Sequence, residues 1–168
     1  MTINKCVILI IQARMGSHRL PGKSLMDLAG APLVGRILER VKRCKRLNDI
    51  ILAIPNTKQD EPLRNLASKY NVKVFLGSEN DLVGRYYGAA IENGADVVVR
   101  LPADNATPEP EEIDRIVKDP SQSIRGHEKS GLDFLDRIGS SSKPVPPDVI
   151  EYSLDDGKTW SHILDYES

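Results

Sequence analysis

Short apolar runs and amphipathic segments alternate along the first two thirds of the chain. Residues 6–12 ("CVILIIQ") form a continuous run rich in valine and isoleucine, which is typical of a strand that is covered on both faces. Runs of similar character occupy residues 49–54, 72–77 and 95–104. Because burial on both faces is characteristic of parallel sheets, we predict four mainly parallel strands.

The segments between these runs carry apolar residues three and four positions apart, which predicts helices. One begins near Pro32, a residue suited to the first helical position, and a second follows Asp60, a candidate helix cap. A third follows residues 78–81 ("SEND"), which resemble a capping box, and a fourth is expected near residues 109–118. This alternation predicts an α/β fold, a Rossmann-like three-layer αβα arrangement with right-handed crossovers.

Residues 119–168 are less regular in pattern. A strand could lie within residues 126–139, residues 140–148 ("SSSKPVPPD") predict a loop, and residues 155–157 ("DDG") indicate a turn. No internal repeat is visible in the sequence. We therefore expect one domain over residues 1–168, with its core in residues 1–118.

Composition and charge narrow the class of protein. With 168 residues, 40% of them hydrophobic, the chain can bury the core of one ordinary globular domain. Its formal net charge of −1 argues against general binding to nucleic acid or to an anionic membrane, so any anion site must be local. The two cysteines, Cys6 and Cys44, form no disulfide or metal-ligand framework. This cysteine usage, and the lack of a membrane-spanning run or a signal-peptide pattern, lead us to expect a cytoplasmic protein.

Positive charge is concentrated directly after the first predicted strand. In residues 10–25 ("IIQARMGSHRLPGKSL"), Arg14, Arg19 and Lys23 lie within ten residues, with Gly16 and Gly22 among them. Like charges this close repel each other unless an anion lies between them. Guanidinium groups, an ammonium group and free amides around glycines suit a polyphosphate. The alternative is a solvated surface loop whose charges are incidental.

A P-loop is one candidate for such a phosphate site, because residues 22–24 ("GKS") match the end of the Walker pattern. The position required for the first glycine, however, holds Ser17. The Walker motif also needs a helix that begins at its lysine, so that the helix N-terminus faces the phosphate. Residues 25–32 separate Lys23 from the next predicted helix. The sequence therefore argues against a P-loop nucleotide hydrolase.

Four collinear segments resemble the cytidylyltransferases that activate acidic sugars. They are "IIQARMGSHRLPGK" (10–23), "LAGAPLVGRILERV" (28–41), "GSENDLVGRYYGAA" (77–90) and "VVRLPADN" (98–105). The resemblance is nearest to the spore coat polysaccharide branch, which is related to CMP-Kdo and CMP-sialate synthetases. It implies the nucleotide-diphospho-sugar transferase (GT-A) form of the αβα fold. It also implies that residues 119–168 are diverged or shortened relative to the acceptor and dimer region of the family.

The resemblance implies transfer of CMP from CTP to an acidic or modified sugar, with release of pyrophosphate, in surface polysaccharide synthesis. Arg14, Arg19 and Lys23 would surround the triphosphate, and Gly16 and Ser17 would supply backbone or hydroxyl donors. Catalysis of this kind depends mainly on positioning and charge neutralisation.

A magnesium ion is the cofactor that the resemblance implies. Asp104, just beyond a buried strand, is the expected ligand, because Mg²⁺ takes carboxylate and phosphate oxygens. With Arg14 and Lys23 it completes the expected catalytic set. Asp104 could instead begin a turn or cap a helix. Asp148, with Glu151 behind it, is the candidate second ligand, although Val149 stands where the family has glycine and a solvated loop carboxylate is the alternative.

Other family positions have less specific roles. Gln12 and Ala13 would help to seat the base, while Arg100 could reach the base or a phosphate, or could pair with a carboxylate. Asp81 and Arg85 match family positions, but capping and helix pairing explain them equally well.

Two departures from the family pattern lie near the predicted site. His18 replaces the usual threonine, and residues 104–110 ("DNATPEP") replace a more apolar run. The expected partners are CTP and a sugar-acid acceptor, with neither nucleic acid nor membrane, and family members pair as homodimers. The sequence leaves two alternatives to an active enzyme: a CTP-binding regulatory or assembly protein without transferase activity, and a truncated form of a longer enzyme.

Overall fold

The computed structural model describes residues 5–17, 19–104 and 106–118, and the backbone of residues 148–151. His18 and the strand predicted within residues 126–139 lie outside the described residues. The strands are β1 (Val7–Gln12), β2 (Asp49–Pro55), β3 (Lys73–Gly77), β4 (Val97–Pro102) and β5 (Asp148–Glu151). The α-helices are α1 (Leu33–Val41), α2 (Glu61–Lys69), α3 (Leu82–Glu92) and α4 (Pro110–Lys118), and short 3-10 helices cover Lys23–Leu25 and Lys58–Asp60.

The described strands form one sheet in the order β3-β2-β1-β4-β5, and every neighbouring pair is parallel. The four strands predicted from the apolar runs are confirmed, and so is the α/β fold class. The strand β5 was not predicted, because its four residues carry no distinctive apolar pattern in the sequence.

Helices cover both faces of the sheet. Alternate residues of β1 point to opposite sides, so Leu9 and Ile11 pack in the cluster that contains α1, α2 and α4, whereas Ile8 and Ile10 pack in the cluster that contains α3. All four of these side chains are at most 1% exposed. This two-sided burial explains why β1 reads as a continuous apolar run, and it gives the three-layer αβα architecture that the sequence predicted.

The helix starts agree with the sequence patterns in position and differ in detail. Pro32 is the N-cap of α1 and not its first residue. For α3, the N-cap is Asp81, whose Oδ1 accepts from the amide of Gly84 at 2.7 Å. The expected capping box at residues 78–81 thus operates through its last residue, since the chain enters the helix only after Asp81.

The strand order places a topological switch point between β1 and β4. From β1 the chain continues to β2 and β3 on one side, and β4 then returns to the other side of β1. In open α/β sheets, the loops that follow two such strands diverge and leave a crevice at the carboxyl edge, where ligands bind. Here these are the loop after β1, with the clustered cations, and the loop after β4, with Asp104.

Candidate functional site

The loop after β1 folds back on the two successive backbone carbonyls of Arg14 and Met15. The Arg14 carbonyl accepts from the buried hydroxyl of Ser24 at 3.2 Å, and the Met15 carbonyl accepts from the amides of Ser17 and Gly22 at 3.0 Å each. Gly22 has φ +73°, a left-handed conformation that favours glycine. These contacts make the backbone of the loop compact.

A buried carboxylate supports this loop from below. Asp60 is 3% exposed, and its Oδ1 accepts from the Met15 amide at 2.7 Å while its Oδ2 accepts from the Thr57 hydroxyl at 2.5 Å. Asp60 does occupy the N-cap position of α2, as the sequence suggested, but its side chain makes no capping hydrogen bond. The carboxylate instead joins the loop after β2 to the loop after β1.

Lys23 and Asp104 meet across the crevice. The Lys23 Nζ donates to Asp104 Oδ2 at 3.2 Å, although 81 residues separate them in sequence. Their side chains are 34% and 61% exposed, so solvent screens the pair and it contributes at most about 1 kcal/mol to stability. A triphosphate could therefore replace Asp104 as the partner of Lys23, and a cation could replace Lys23 as the partner of Asp104, with little loss of free energy from the broken pair.

The Asp104 loop is itself attached to α1. Arg40 donates from Nε to the Pro108 carbonyl at 2.7 Å, and its Nη2 lies 2.6 Å from Glu109 Oε1. These bonds hold the start of α4 against the helix that follows the cationic loop. Arg40 therefore helps to set the separation between Lys23 and Asp104.

Arg85, on α3, is buried against the end of β3. It is 2% exposed, its Nη1 donates to the carbonyls of Ser78 and Glu79 (3.0 Å for the latter), and its side chain crosses Gly77. Among the described residues, its Nε is the one buried side-chain polar atom without a hydrogen-bond partner. Burial lowers the pKa of the Arg85 guanidinium, and the nearby charge of Arg14 lowers it further.

The remaining predicted residues have mixed surroundings. Gln12 ends β1, between Ala53 and Pro102 in the sheet register. Ala13 is 3% exposed, so a contact of this residue with a base would fall to its backbone. Arg19 is exposed at the rim of the loop.

Arg100 lies on the side of the sheet that α3 covers. Its guanidinium carbon lies 5.4 Å from the ring centroid of Tyr86, a cation–π distance. This contact is a partner that the sequence reasoning did not consider for Arg100.

The register of β5 bears on the second predicted metal ligand. Asp148 pairs with Val97 at the start of β4, seven residues before Asp104 along that strand and the following turn. At about 3.3 Å per residue, this places the backbone of Asp148 roughly 20 Å from Asp104. One Mg²⁺ binds its ligands at about 2 Å, so Asp148 and Asp104 do not belong to one site in this arrangement. Glu151 pairs with Arg100 in the same register.

Asp104 suits a magnesium ion by its chemistry and its exposure. Its carboxylate is a hard oxygen ligand, it is open to solvent, and it already faces a cation, Lys23. Within the ranges that the structure describes, no group of three or more His, Cys, Asp or Glu side chains could hold a metal. A metal at Asp104 would therefore share its coordination with phosphate oxygens and water, which is the usual binding mode of Mg²⁺.

Sequence reasoning missed the supporting residues Asp60, Ser24 and Arg40, and it left Arg85 undecided. Ser24 and Arg40 carried no distinguishing sequence signal. Asp60 did carry one, because it follows the carboxyl end of β2, the neighbour of β1.

No helix among the described residues is long and apolar enough to cross a membrane.

Comparison with known proteins identifies relatives of this chain. The chain is 32% identical over 132 residues to the spore coat polysaccharide biosynthesis protein SpsF of Bacillus subtilis. This alignment covers 76% of the present chain and 52% of SpsF. It is 36% identical over 112 residues to a 3-deoxy-manno-octulosonate cytidylyltransferase of Chloroherpeton thalassium, covering 66% and 44% respectively. The chain thus spans about half the length of the curated relatives it matches.

A solved structure gives the same result. A cytidylyltransferase from Leptospira borgpetersenii superposes with a TM-score of 0.66 at 36% sequence identity, over 68% of this chain and 48% of that one. The cytidylyltransferase family model matches residues 8–130, which include the cationic loop, the Asp60 segment and Asp104. The chain belongs to the cytidylyltransferase family.

Proposed function

We propose that this protein transfers the CMP group of CTP to the hydroxyl of an acidic or modified sugar and releases pyrophosphate. The observation that carries the proposal is the meeting of Lys23 and Asp104, 3.2 Å apart, at the switch point between β1 and β4. An ammonium group and an exposed carboxylate at the mouth of a phosphate-binding loop are suited to a triphosphate and its Mg²⁺.

The roles follow from the positions of the side chains. Arg14 and Lys23 would bind the triphosphate, with Arg19 at the rim, and the backbone at Gly16 and Ser17 would donate to phosphate oxygens. In the reaction a bond forms between the sugar oxygen and the α-phosphorus, and the bond to the bridging oxygen breaks. The electron pair leaves with pyrophosphate, and the proton of the hydroxyl passes to water. Cations beside the leaving group stabilise the charge that develops there.

Asp104 would hold the magnesium ion in this proposal. When bound, Mg²⁺ neutralises phosphate charge and polarises the phosphorus. Asp104 pairs with Lys23 through an exposed ion pair, and in this proposal Asp104 would exchange that partner for the metal while Lys23 would exchange it for a phosphate. We leave Asp148 out of the proposed site, since its backbone pairs with Val97 at the start of β4.

The acceptor class and the setting are inferred from relatives. One matched protein is named for spore coat polysaccharide biosynthesis and another for 3-deoxy-manno-octulosonate, an acidic sugar. An acidic or modified sugar for a surface polysaccharide is therefore the proposed acceptor. A cytoplasmic site of action follows, since CTP is made and kept inside the cell. The homodimer remains a prediction.

Turnover of CTP tests the proposal directly. Pyrophosphate release is measured with CTP, Mg²⁺ and a panel of sugar acids, and CTP binding is measured by calorimetry. Lys23→Ala and Asp104→Ala should abolish release, and Lys69→Ala, an exposed lysine at the end of α2, should have no effect. CTP binding that is unchanged in both site variants would show that the nucleotide binds elsewhere.

A CTP-binding protein without transferase activity is the second candidate, because the cationic loop and Asp104 could hold a nucleotide without any acceptor sugar. The same measurements separate the two functions. Magnesium-dependent CTP binding without pyrophosphate release for any sugar acid would favour the binding protein. Release with one acceptor would establish the transferase.

A further inference from the structure

The cationic loop depends on a carboxylate that belongs to another loop. Asp60 lies 45 residues from Met15 in sequence, yet its Oδ1 accepts from the Met15 amide at 2.7 Å. Asp60 is in turn held by the Thr57 hydroxyl at 2.5 Å, and both residues follow β2. A carboxylate that is 3% exposed is fixed by its surroundings, so it can fix the peptide group that it binds.

Charge explains why a carboxylate is tolerated at this buried position. Burial lowers the pKa of the Arg85 guanidinium, the charge of Arg14 lowers it further, and the charge of Asp60 opposes both effects. Two cations and one buried anion therefore lie within electrostatic range of each other. The anion reduces the repulsion between Arg14 and Arg85, and the two hydrogen bonds offset the desolvation of the carboxylate.

The contacts of the Met15 peptide show what Asp60 controls. The amide of Met15 is occupied by Asp60, and its carbonyl by the amides of Ser17 and Gly22. With both polar groups of Met15 held, the backbone on either side, which carries Arg14 and Gly16, has a fixed orientation. A binding loop that is ordered before its ligand arrives loses less entropy when the ligand binds.

We propose that Asp60 is a positioning residue for the triphosphate, acting through the Met15 amide and not through contact with the nucleotide. The choice of ligand rests on the proposed function, whereas the ordering of the loop by Asp60 does not. A side chain that is 3% exposed and already engaged by two donors has no free oxygen surface to offer to a nucleotide or metal.

Asp114 provides a control for the loss of a carboxylate that holds backbone amides, although it is more exposed than Asp60. Asp114 on α4 accepts from the amides of Lys45 (3.0 and 2.9 Å) and Arg46 (2.9 Å), just beyond the end of α1 and away from the crevice. Asp60→Ala and Asp114→Ala each remove a carboxylate that holds backbone amides of a different segment. If Asp60 were merely structural, the two variants would have similar effects on the site.

Hydrogen exchange measures the ordering without any ligand. Amide exchange in peptides that cover residues 13–25 should accelerate at least tenfold in Asp60→Ala, as expected when a bond worth about 1.4 kcal/mol or more is lost. Asp60→Asn retains an acceptor oxygen for Met15 and should protect the loop almost as well as the native residue. Asp114→Ala should leave these peptides unchanged. Equal exchange in Asp60→Ala and the native protein would overturn the proposal.

Calorimetry with CTP and Mg²⁺ measures the consequence for binding. We expect about tenfold weaker binding for Asp60→Ala, with Asp60→Asn within roughly threefold of the native protein and Asp114→Ala equal to it. Equal losses in Asp60→Asn and Asp60→Ala would refute action through the Met15 hydrogen bond. If Asp60→Ala does not fold, Thr57→Val provides the test, because it removes the second donor to Asp60. This variant should show a smaller loss of loop protection and of CTP affinity than we expect for Asp60→Ala. Native exchange and native affinity in Thr57→Val would contradict the proposal.

The two proposals fail in different ways. A native protein that does not bind CTP would refute the proposed function, while the exchange experiment would still decide the role of Asp60. A native protein that binds CTP as tightly after Asp60→Ala as before would refute the role of Asp60 alone.

Discussion

Replacing Arg40 tests whether the loop that carries Asp104 is held in place by α1. In Arg40→Met the aliphatic part of the side chain is kept, and the bonds to the Pro108 carbonyl and the Glu109 carboxylate are lost. Pro108 is buried, so its carbonyl would lose a charged donor without full access to water. We expect two effects: a loss of stability and a weaker response to Mg²⁺.

The magnitude follows from the exposure of each partner. Loss of a charged donor to a buried carbonyl costs roughly 1–3 kcal/mol. The ion pair with Glu109 contributes at most about 0.5 kcal/mol more, because the two side chains are 30% and 55% exposed and solvent screens them. Together these give a decrease of roughly 2 kcal/mol in the free energy of unfolding. Glu109→Gln, which leaves the Pro108 contact intact, should cost about 0.5 kcal/mol or less.

Two measurements check this expectation. Urea denaturation gives the free energy of unfolding, and CTP binding or turnover at increasing Mg²⁺ gives the half-saturating metal concentration, which should rise roughly three- to tenfold in Arg40→Met. Arg36→Met is the control, since Arg36 lies one turn earlier on α1 and bonds the carbonyls of Leu28 and Ala29 (2.9 Å for Leu28). A similar shift in Mg²⁺ response in both variants, or no shift in Arg40→Met, would refute the reasoning.

Three further predictions use individual residues. In Gly77→Ala the new Cβ would lie 2.5 Å from Arg85 Cγ. The free energy of unfolding, measured in urea, should therefore fall by about 1–3 kcal/mol. An unchanged urea midpoint would show that Arg85 can move aside. Gly22→Ala places a side chain at φ +73° and should cost about 1–2 kcal/mol, with Gly22→Asn better tolerated; equal stability of the two variants would count against this. Burial and the Asp114 charge raise the pKa of the Cys44 thiol to about 12. Its alkylation by iodoacetamide at pH 8 should therefore be roughly a thousandfold slower than that of a thiol of ordinary pKa. Mass spectrometry measures the rate of alkylation. Rapid labelling of the folded protein would contradict that pKa.

Local patterns in the sequence were sufficient for the main elements. The apolar run at residues 6–12 predicted a strand buried on both sides, and the structure has β1 at Val7–Gln12 with both faces covered. The same reasoning argued against a P-loop, and the structure agrees, because the helix that begins at Lys23 is a three-residue 3-10 turn and the α-helix α1 begins at Leu33. These features depend on residues close in sequence and on the periodicity of burial, which a single sequence records directly.

The pairing of Lys23 with Asp104 was predictable only as a tendency. The rule that parallel strands end at one edge placed their loops near each other. The 3.2 Å contact itself depends on the packing of α1 and α4, which no local pattern encodes. The prediction that Asp148 is a second metal ligand depended on which residues it neighbours in the sheet. Its backbone pairs with Val97, at the end of β4 far from Asp104.

The hydrogen bonds of Asp60 show most clearly which features depend on tertiary structure. In the sequence it stands before an amphipathic segment, where an aspartate is expected to cap a helix. In the folded chain it occupies that position, but its carboxylate binds the Met15 amide, 45 residues away. The sequence alone predicted β1 to β4, the four α-helices and the edge where we expect a ligand, because these follow from hydrophobic periodicity and strand direction. Which polar groups meet at that edge depended on how the loops pack, since a buried carboxylate is stable only where the fold brings donors to it.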